Sequence, residues 1–217
     1  MLFVLACAQN LVRADRNVRS GNWGYRDTNL PCDVQGKTLL LIGFGRIGKS
    51  VAEKARVFGM EVLAYDAYVS AEAMAALGVK KVDRLADGLR AADFVTIHLP
   101  LTDETRGMMG AEEFRVMKRT AYVCNLGRGP MLNEKELYQA LLDGEIAGAA
   151  LDVFDPEPPL KDNPLFQLEN VIVTPHTGGD TQESRSRLAV MAARSLLAAL
   201  DGEPFPLNWA NRKAMGL

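Results

Sequence analysis

Three residues could act together on a substrate: His176 and Glu157 are suited to acid–base chemistry, and Arg128 is suited to binding an anion. His176 lies in TPHTGG, after an apolar run and before two glycines, so we expect it to be exposed at the end of a strand. Imidazole titrates near neutral pH, and Glu157 in the Pro-rich stretch DPEPP could orient it as a proton carrier. Arg128 stands between two glycines and can offer a bidentate fork to a carboxylate or a carbonyl oxygen. Together with a hydride-carrying cofactor, this set fits reduction of a 2-oxo acid.

The stretch LLLIGFGRIGKS (39–50) is a candidate seat for such a cofactor. Its three glycines follow an apolar strand-like run and open a helical pattern, which is the context that gives G-x-G-x-x-G its meaning. Gly43 permits a tight turn, Gly45 lets the backbone approach a pyrophosphate, and Gly48 lets the helix pack closely on the sheet. The start of the helix then offers N–H groups and a partial positive charge to the phosphates.

An acid at the end of the second strand indicates which dinucleotide is bound. Asp66 ends the run EVLAYD and lies 18 residues after Gly48. A carboxylate there can accept hydrogen bonds from the ribose hydroxyls of the adenosine half, and it would repel a 2′-phosphate, so NAD is favoured over NADP. The alternative is a glycine turn in an α/β protein that binds no nucleotide.

Short β-like runs alternate with helical patterns along the chain. The runs cover 38–43, 61–66, 79–82, 94–99, 121–125, 147–153 and 170–175, and helices are predicted over 46–58, 71–77, 134–143 and 180–200. Ser70 and Asn133 are expected helix N-caps, with Glu136 completing a variant of the capping box after Asn133. This alternation predicts an α/β fold with a doubly wound parallel sheet, the Rossmann architecture.

Composition excludes several classes of protein. The 217 residues carry 25 basic and 27 acidic side chains, a net charge of -2 that favours neither nucleic acid nor an anionic membrane. Three cysteines without framework or zinc spacing suggest free thiols in a reducing compartment and no metal site.

The start MLFVLACA could be a short signal peptide, but it lacks a basic leader. Apolar residues at 4, 8, 11 and 18 favour an amphipathic helix, and no run is long enough to span a membrane.

The order of motifs along the chain resembles the D-2-hydroxyacid dehydrogenase family, in particular its D-3-phosphoglycerate dehydrogenase-like members. The motifs are GFGRIG, Asp66, HLPLTDETRG, NLGRG, ALDVFDPEP and TPHTGG, and the resemblance extends from about residue 10 to residue 200. It implies NAD as cofactor and interconversion of a D-2-hydroxy acid and a 2-oxo acid.

The resemblance also implies a role for each matching residue. Arg128 matches the substrate-binding arginine, Glu157 the glutamate paired with the histidine, and His176 the acid/base. The cofactor positions implied are Gly43, Gly45, Arg46, Ile47, Gly48, Asp66, Pro100, Leu126, Gly127, Asp152 and Gly178. Among them, Arg46 and Ile47 would contact the pyrophosphate and Asp152 the nicotinamide carboxamide. The only other histidine, His98, matches no catalytic position and is expected to be a strand-end residue.

Members of this family have a flavodoxin-like substrate domain into which the nucleotide domain is inserted. The resemblance therefore implies that roughly 100 residues, a common domain size, are missing before residue 1. Residues 1–20 would be a remnant of the helix between the domains, 21–178 the NAD-binding domain, and 179–217 a helix and tail belonging to the substrate domain. That tail is unusual, and the sequence offers no explanation for Trp209 in it. Turnover without the second wall of the cleft is expected to be low, because closure excludes water and positions the substrate.

An amino-terminal segment of the chain is a candidate dimer interface. Residues 14–26 resemble the family's dimerisation arm, and Trp23 and Tyr25 beside arginines suit an interface, so a cytoplasmic homodimer is expected; a solvated loop is the alternative. A non-catalytic NAD(H)-binding module, similar to the C-terminal-binding corepressors, is the competing function. Formate oxidation is disfavoured, and the substrate acid is left open.

Overall fold

The computed structural model describes residues 1–201, and the unusual tail containing Trp209 lies outside them. These residues form seven strands and eight α-helices. In chain order they are α1 Leu2–Ala8, α2 Leu11–Arg19, β1 Thr38–Ile42, α3 Arg46–Val57, β2 Glu61–Tyr65, α4 Ala71–Ala75, β3 Lys80–Lys81, α5 Leu85–Ala91, β4 Phe94–Ile97, α6 Ala111–Val116, β5 Tyr122–Asn125, α7 Glu134–Leu142, β6 Gly148–Leu151, β7 Val171–Val173 and α8 Gln182–Leu200. Each of the seven predicted runs contains one strand. Short 3-10 turns cover Trp23–Asp27, Gly129–Met131 and Pro164–Gln167.

The strands form one parallel sheet in the order β3-β2-β1-β4-β5-β6-β7. Chain order runs outwards in both directions from the β1–β4 pair, so this pair is the topological switch point. In open α/β sheets, ligands bind in the crevice outside the carboxyl ends of the strands at that point. The predicted doubly wound fold is confirmed, and the glycine motif follows β1 directly.

Both faces of the sheet are buried, as parallel sheets require. In β1, Leu40 and Ile42 join a cluster with side chains of α5, α6 and α7, while Leu39 and Leu41 join a cluster with side chains of α1, α3 and α4. All four are fully buried. This explains why the strands read as continuous apolar runs rather than as alternating patterns.

Helix α5 was not predicted, because Gly88 lies inside it and glycine disfavours a helix interior by roughly 1 kcal/mol. A Cβ at Gly88 would lie 2.8 Å from Leu40 Cδ1 and 3.1 Å from Val82 Cγ2. The glycine therefore lets the helix approach the sheet closely. Helix α6 was also missed, since it has only six residues.

The two predicted helix N-caps, Ser70 and Asn133, are present, but the predicted role of Glu136 is wrong. Ser70 Oγ accepts from the Ala73 N–H and Asn133 Oδ1 from the Glu136 N–H, as predicted. The Glu136 carboxylate, however, does not close a capping box on Asn133. It accepts from the Ala111 N–H at 2.7 Å and so joins α7 to the start of α6.

The amino-terminal segment forms two helices rather than one amphipathic helix. Asn10 has a left-handed backbone with a φ of 50°, which ends the regular hydrogen-bond ladder between α1 and α2. Helix α1 buries Val4 and Ala8 in the core, whereas Leu11 and Val18 of α2 stay 55% and 53% exposed. Residues 1–175 form one compact unit, which includes α1. Within residues 1–201, none of the helices has the length and apolar character needed to cross a lipid bilayer.

A second unit begins at His176 and contains α8. Thr181 and Ser184 close a reciprocal capping box: the Thr181 hydroxyl accepts from the Ser184 N–H at 3.0 Å, and the Ser184 hydroxyl accepts from the Thr181 N–H at 2.8 Å. Helix α8 buries no residue, and it exposes several large apolar side chains, including Leu188, Leu196 and Leu200.

Candidate functional site

Buried polar side chains mark one edge of the sheet. Within residues 1–201 the buried polar or charged residues are Asp66, Thr96, Asn125 and Asp152. Asp66 and Asp152 directly follow β2 and β6, Asn125 ends β5, and Thr96 is the penultimate residue of β4. Burial of a polar group is costly unless it finds partners, so such groups concentrate where a site needs them. The carboxyl ends of the strands are therefore the chemically specialised edge of this unit.

The three glycines of the motif are required for different reasons. A Cβ at Gly43 would lie 2.9 Å from the His98 carbonyl carbon, and one at Gly48 would lie 2.2 Å from the Gly43 oxygen, so the protein's own backbone excludes side chains at both. Gly43 also has a φ of 102°. A Cβ at Gly45 would have no atom within 4 Å, and Gly45 has an ordinary extended conformation. Within residues 1–201, no contact excludes a side chain at this position, so the space beside Gly45 is open to a closely approaching ligand.

The start of α3 is arranged for an anion. Gly45 is the N-cap of this 12-residue helix and no side chain caps it. The first N–H groups of a helix lack intrahelical partners and carry a partial positive charge. Gly45, Arg46 and Ile47 are exposed around them, and Ile47 is 63% exposed although it is a large apolar residue. These residues fit the pyrophosphate of a dinucleotide.

Asp66 lies beside the glycine turn and holds it in place. Its Oδ2 accepts from the Phe44 N–H at 2.8 Å, and its Oδ1 accepts from the N–H groups of Tyr68 and Val69 at 2.9 and 3.1 Å. The carboxylate is only 7% exposed. Two carboxylate oxygens offer about four acceptor sites, so capacity for a ribose hydroxyl remains after three N–H bonds. The structure thus gives Asp66 a structural task that the sequence did not predict.

The turn that carries Arg128 is fixed on both sides. Gly127 and Gly129 are buried while Arg128 between them is exposed. A Cβ at Gly127 would lie 3.3 Å from the Leu99 carbonyl oxygen, and one at Gly129 would lie 1.8 Å from the Phe154 carbonyl oxygen. The arginine turn is therefore wedged between the segments after β4 and β6. Arg128 Nη1 donates to the Gly127 carbonyl at 2.7 Å.

Asn125 organises this turn, and sequence reasoning missed it as a site residue. Its Oδ1 accepts from the Gly127 N–H at 3.1 Å and its Nδ2 donates to the Arg128 carbonyl at 3.0 Å. Its own carbonyl accepts from the Asp152 N–H at 3.0 Å, which links the ends of β5 and β6. An amide at the end of an otherwise apolar strand was the available signal.

Asp152 is joined to Thr174, a second residue that the sequence did not single out. Asp152 is 2% exposed, and its Oδ1 accepts a hydrogen bond from the Thr174 hydroxyl. Leu151 and Val173 are in register, so Asp152 and Thr174 continue that pairing just beyond β6 and β7. The predicted cofactor positions Pro100, Leu126 and Gly127 follow β4 and β5 on the same edge of the sheet.

The remaining predicted residues fall in two places. Glu157 is exposed in the loop after β6, and this loop is held by Glu134, whose carboxylate accepts from the Asp155 N–H at 2.8 Å and from Asn163 Nδ2 at 2.7 Å. His176 and Gly178 are exposed at the start of the second unit. His176 has a left-handed φ of 53°, one of two such non-glycine residues within 1–201. Left-handed backbone in a bulky residue costs free energy and is concentrated at functional positions.

His98 is a structural histidine, as expected from the sequence. Its Nε2 lies 2.9 Å from the Thr96 hydroxyl, and its N–H donates to the Ile42 carbonyl at 2.8 Å across the switch point. Burial lowers the pKa of His98 from 6.5 to about 4. The ring is therefore neutral near pH 7 and does not serve as a proton donor there.

Comparisons with known proteins agree with this geometry. Residues 1–178 match the family model described as D-isomer specific 2-hydroxyacid dehydrogenase, NAD binding domain. A glyoxylate reductase from Korarchaeum cryptofilum is 45% identical over 98% of this chain and 64% of that protein. A D-3-phosphoglycerate dehydrogenase from Methanocaldococcus jannaschii is 42% identical over 94% of this chain and 38% of that protein. Among solved structures, a D-lactate dehydrogenase with NAD+ from Lactobacillus jensenii has a TM-score of 0.83 at 29% identity, covering 95% of this chain and 66% of that one. The chain thus spans less than two thirds of each of the two curated relatives.

Proposed function

Because this chain belongs to the D-isomer specific 2-hydroxyacid dehydrogenase family and contains its NAD-binding domain, we propose that it serves NAD-dependent interconversion of a D-2-hydroxy acid and a 2-oxo acid. The observation that carries this proposal is the open space at Gly45, beside an uncapped helix and a buried carboxylate at the topological switch point. NAD supplies hydride transfer when bound there.

The chain's own residues have separable tasks in this proposal. The N–H groups at the start of α3 hold the pyrophosphate, and Asp66 accepts from the adenosine ribose while repelling a 2′-phosphate. Asp152 accepts from the carboxamide of the nicotinamide. Arg128 anchors the substrate carboxylate and polarises its carbonyl, a task that the exposed guanidinium between two buried glycines suits. His176, oriented by Glu157, delivers the proton to the carbonyl oxygen.

The relatives suggest the substrate class but not the acid. Their names include glyoxylate reductase and D-3-phosphoglycerate dehydrogenase, and the chain spans only part of each. We propose that 21–178 act as the NAD-binding domain, that 1–20 connect to a flavodoxin-like substrate domain, and that 179–217 belong to it. The exposed leucines of α8 support the last assignment, since apolar side chains of this size are normally covered.

We further propose a cytoplasmic homodimer formed through the arm at 14–26. Trp23 is 67% exposed and Val18 is 53% exposed, which suits burial against a second copy. The Tyr25 ring already has a contact within the chain, because the Arg13 guanidinium carbon lies 5.4 Å from the centre of the ring. Free thiols at Cys7, Cys32 and Cys124 agree with a reducing compartment.

A single-turnover assay tests the catalytic proposal. Protein that includes the proposed substrate domain, in excess over NADH, is mixed with glyoxylate, hydroxypyruvate, pyruvate or phosphohydroxypyruvate, and loss of NADH absorbance is followed in the wild type, Arg128→Ala and Arg119→Ala. Arg119 is an exposed arginine before β5 and serves as the matched control. We expect at least one acid to oxidise NADH in the wild type. Arg128→Ala should slow this oxidation 100-fold or more, and Arg119→Ala should leave its rate unchanged. The size of the effect follows from loss of a charged anchor worth about 3 kcal/mol.

The competing function is an NAD(H)-binding module that works by dimerising. The exposed apolar residues of the arm favour it as the second candidate. Protein that includes its substrate domain and binds NADH that no 2-oxo acid oxidises, together with a dimer whose dissociation in sedimentation changes at least tenfold with NADH, would support this module and contradict the catalytic proposal.

A further inference from the structure

We propose that Thr174 is a positioning residue for the nicotinamide half of the cofactor, acting through its hydrogen bond to Asp152. The inference rests on the proposed function, because it assumes that Asp152 receives the carboxamide. It adds a residue to the site that neither the glycine motif nor the arginine, glutamate and histidine set includes.

The backbone brings these two residues together. The Thr174 N–H donates to the Leu151 carbonyl at 3.0 Å, and the Asp152 N–H donates to the Asn125 carbonyl at 3.0 Å. Leu151 and Val173 are paired in the parallel ladder, so the next residues after the two strands, Asp152 and Thr174, lie side by side with their side chains on the same face of the sheet. The threonine hydroxyl then donates to Asp152 Oδ1.

This hydrogen bond defines the orientation of a buried carboxylate. Asp152 is 2% exposed and Thr174 is partly buried. Hydrogen bonds to a charged acceptor are about twice as strong as neutral ones, and a buried group that loses a partner bears the full desolvation penalty. A carboxylate rotated away from its position would present the wrong oxygen to an amide donor. Thr174 therefore constrains the direction in which the Asp152 carboxylate faces.

Binding of two ligands, one with and one without nicotinamide, distinguishes a positioning role of Thr174 from a purely structural one. In the proposed function the adenosine half of the cofactor would contact the ends of β1 and β2, whereas Asp152 and Thr174 follow β6 and β7 at the other side of the switch point. A defect confined to Asp152 should weaken only ligands that contain nicotinamide. ADP-ribose has the pyrophosphate and both riboses but no nicotinamide, so it reports the rest of the seat.

The experiment compares binding of NADH and ADP-ribose by isothermal titration of the 217-residue chain. Thr174→Val removes the hydroxyl at nearly constant volume, Thr174→Ser retains it, and Thr120→Val is the matched control at the opposite edge of the sheet, where Thr120 is exposed. Thermal unfolding of each variant is recorded alongside, and Thr174→Ala replaces Thr174→Val if the valine variant does not fold.

We expect Thr174→Val to weaken NADH about fivefold to tenfold and to leave ADP-ribose within twofold, while Thr174→Ser and Thr120→Val match the wild type. Equal weakening of both ligands would make Thr174 a structural residue and overturn the inference, as would unchanged binding of both. Wild-type protein that binds ADP-ribose and NADH equally would show that Asp152 does not receive the carboxamide. Wild-type protein that binds neither would overturn the proposed function itself.

Discussion

Asn125 holds Arg128 in place through a hydrogen bond from its side-chain amide to the Arg128 carbonyl at 3.0 Å. The other end of the same amide accepts from the Gly127 N–H, so one buried side chain spans the turn that presents the arginine. Arg128 is exposed, and its side chain is held by this turn, where Nη1 donates to the Gly127 carbonyl, rather than by burial.

Asn125→Ala is therefore expected to destabilise the chain and to loosen the turn. It leaves the Gly127 N–H and the Arg128 carbonyl without their side-chain partner, at a cost of about 2–4 kcal/mol for two groups. Urea unfolding measures this loss. A Gln167→Ala control, which removes an exposed amide side chain, should change stability by no more than about 0.5 kcal/mol, and equal losses in the two variants would contradict this role of Asn125.

Gly45→Ala and Gly48→Ala form a matched pair with opposite outcomes. The methyl group at Gly45 meets open space, so that variant should fold and lose no more than about 1 kcal/mol, the cost of alanine at a helix N-cap, while NADH binding weakens at least tenfold. At Gly48 the methyl group would collide with the Gly43 oxygen, and a loss of about 2 kcal/mol or more is expected. Thermal unfolding and NADH titration check both; Gly45→Ala that binds NADH normally would show that no ligand approaches this glycine.

Asp66→Asn should affect stability and cofactor choice together. The amide presents an N–H₂ group toward backbone N–H donors, so at least one of the three hydrogen bonds is lost, at about 1–3 kcal/mol. Removal of the negative charge should also narrow the preference for NADH over NADPH at least fivefold. Binding of both nucleotides by the variant and by Asp143→Asn, an exposed control, measures the change. An unchanged ratio would remove Asp66 from cofactor selection.

His98 makes stability depend on pH in a defined window. The unfolded imidazole binds a proton near pH 6.5 and the folded one only near pH 4, because burial lowers the pKa of His98 to about 4. Unfolding therefore takes up a proton between these values, and stability falls as the pH drops from about 6.5 to about 4, by up to about 3 kcal/mol. His98→Gln should flatten this part of the profile in chemical denaturation. A variant with the same slope as the wild type would show that the histidine is solvated.

The sequence was sufficient to predict the seven strands, the glycine turn and the acid after β2, because each has a local signature. Relationships across the sheet were not predictable in this way. The bonds from Phe44 to Asp66 and from Thr174 to Asp152 join residues 22 apart in the chain and depend on strand register. The break at Asn10 was missed for a different reason, since asparagine takes left-handed backbone without a pattern that interrupts the apolar spacing. Glu136 was misassigned because its partner, the Ala111 N–H, is 25 residues away.

The central claim is that the edge formed by Gly45, the start of α3 and Asp66 seats NAD. The most direct test is a fluorescence titration of the 217-residue chain with NADH, with circular dichroism to verify folding. We expect saturable binding of NADH, and we expect NAD+ and ADP-ribose to displace the bound NADH. NADPH should bind at least tenfold more weakly than NADH. A folded chain that shows no saturable change with NADH up to about 1 mM, a level that corresponds to roughly 4 kcal/mol of binding, would contradict this claim.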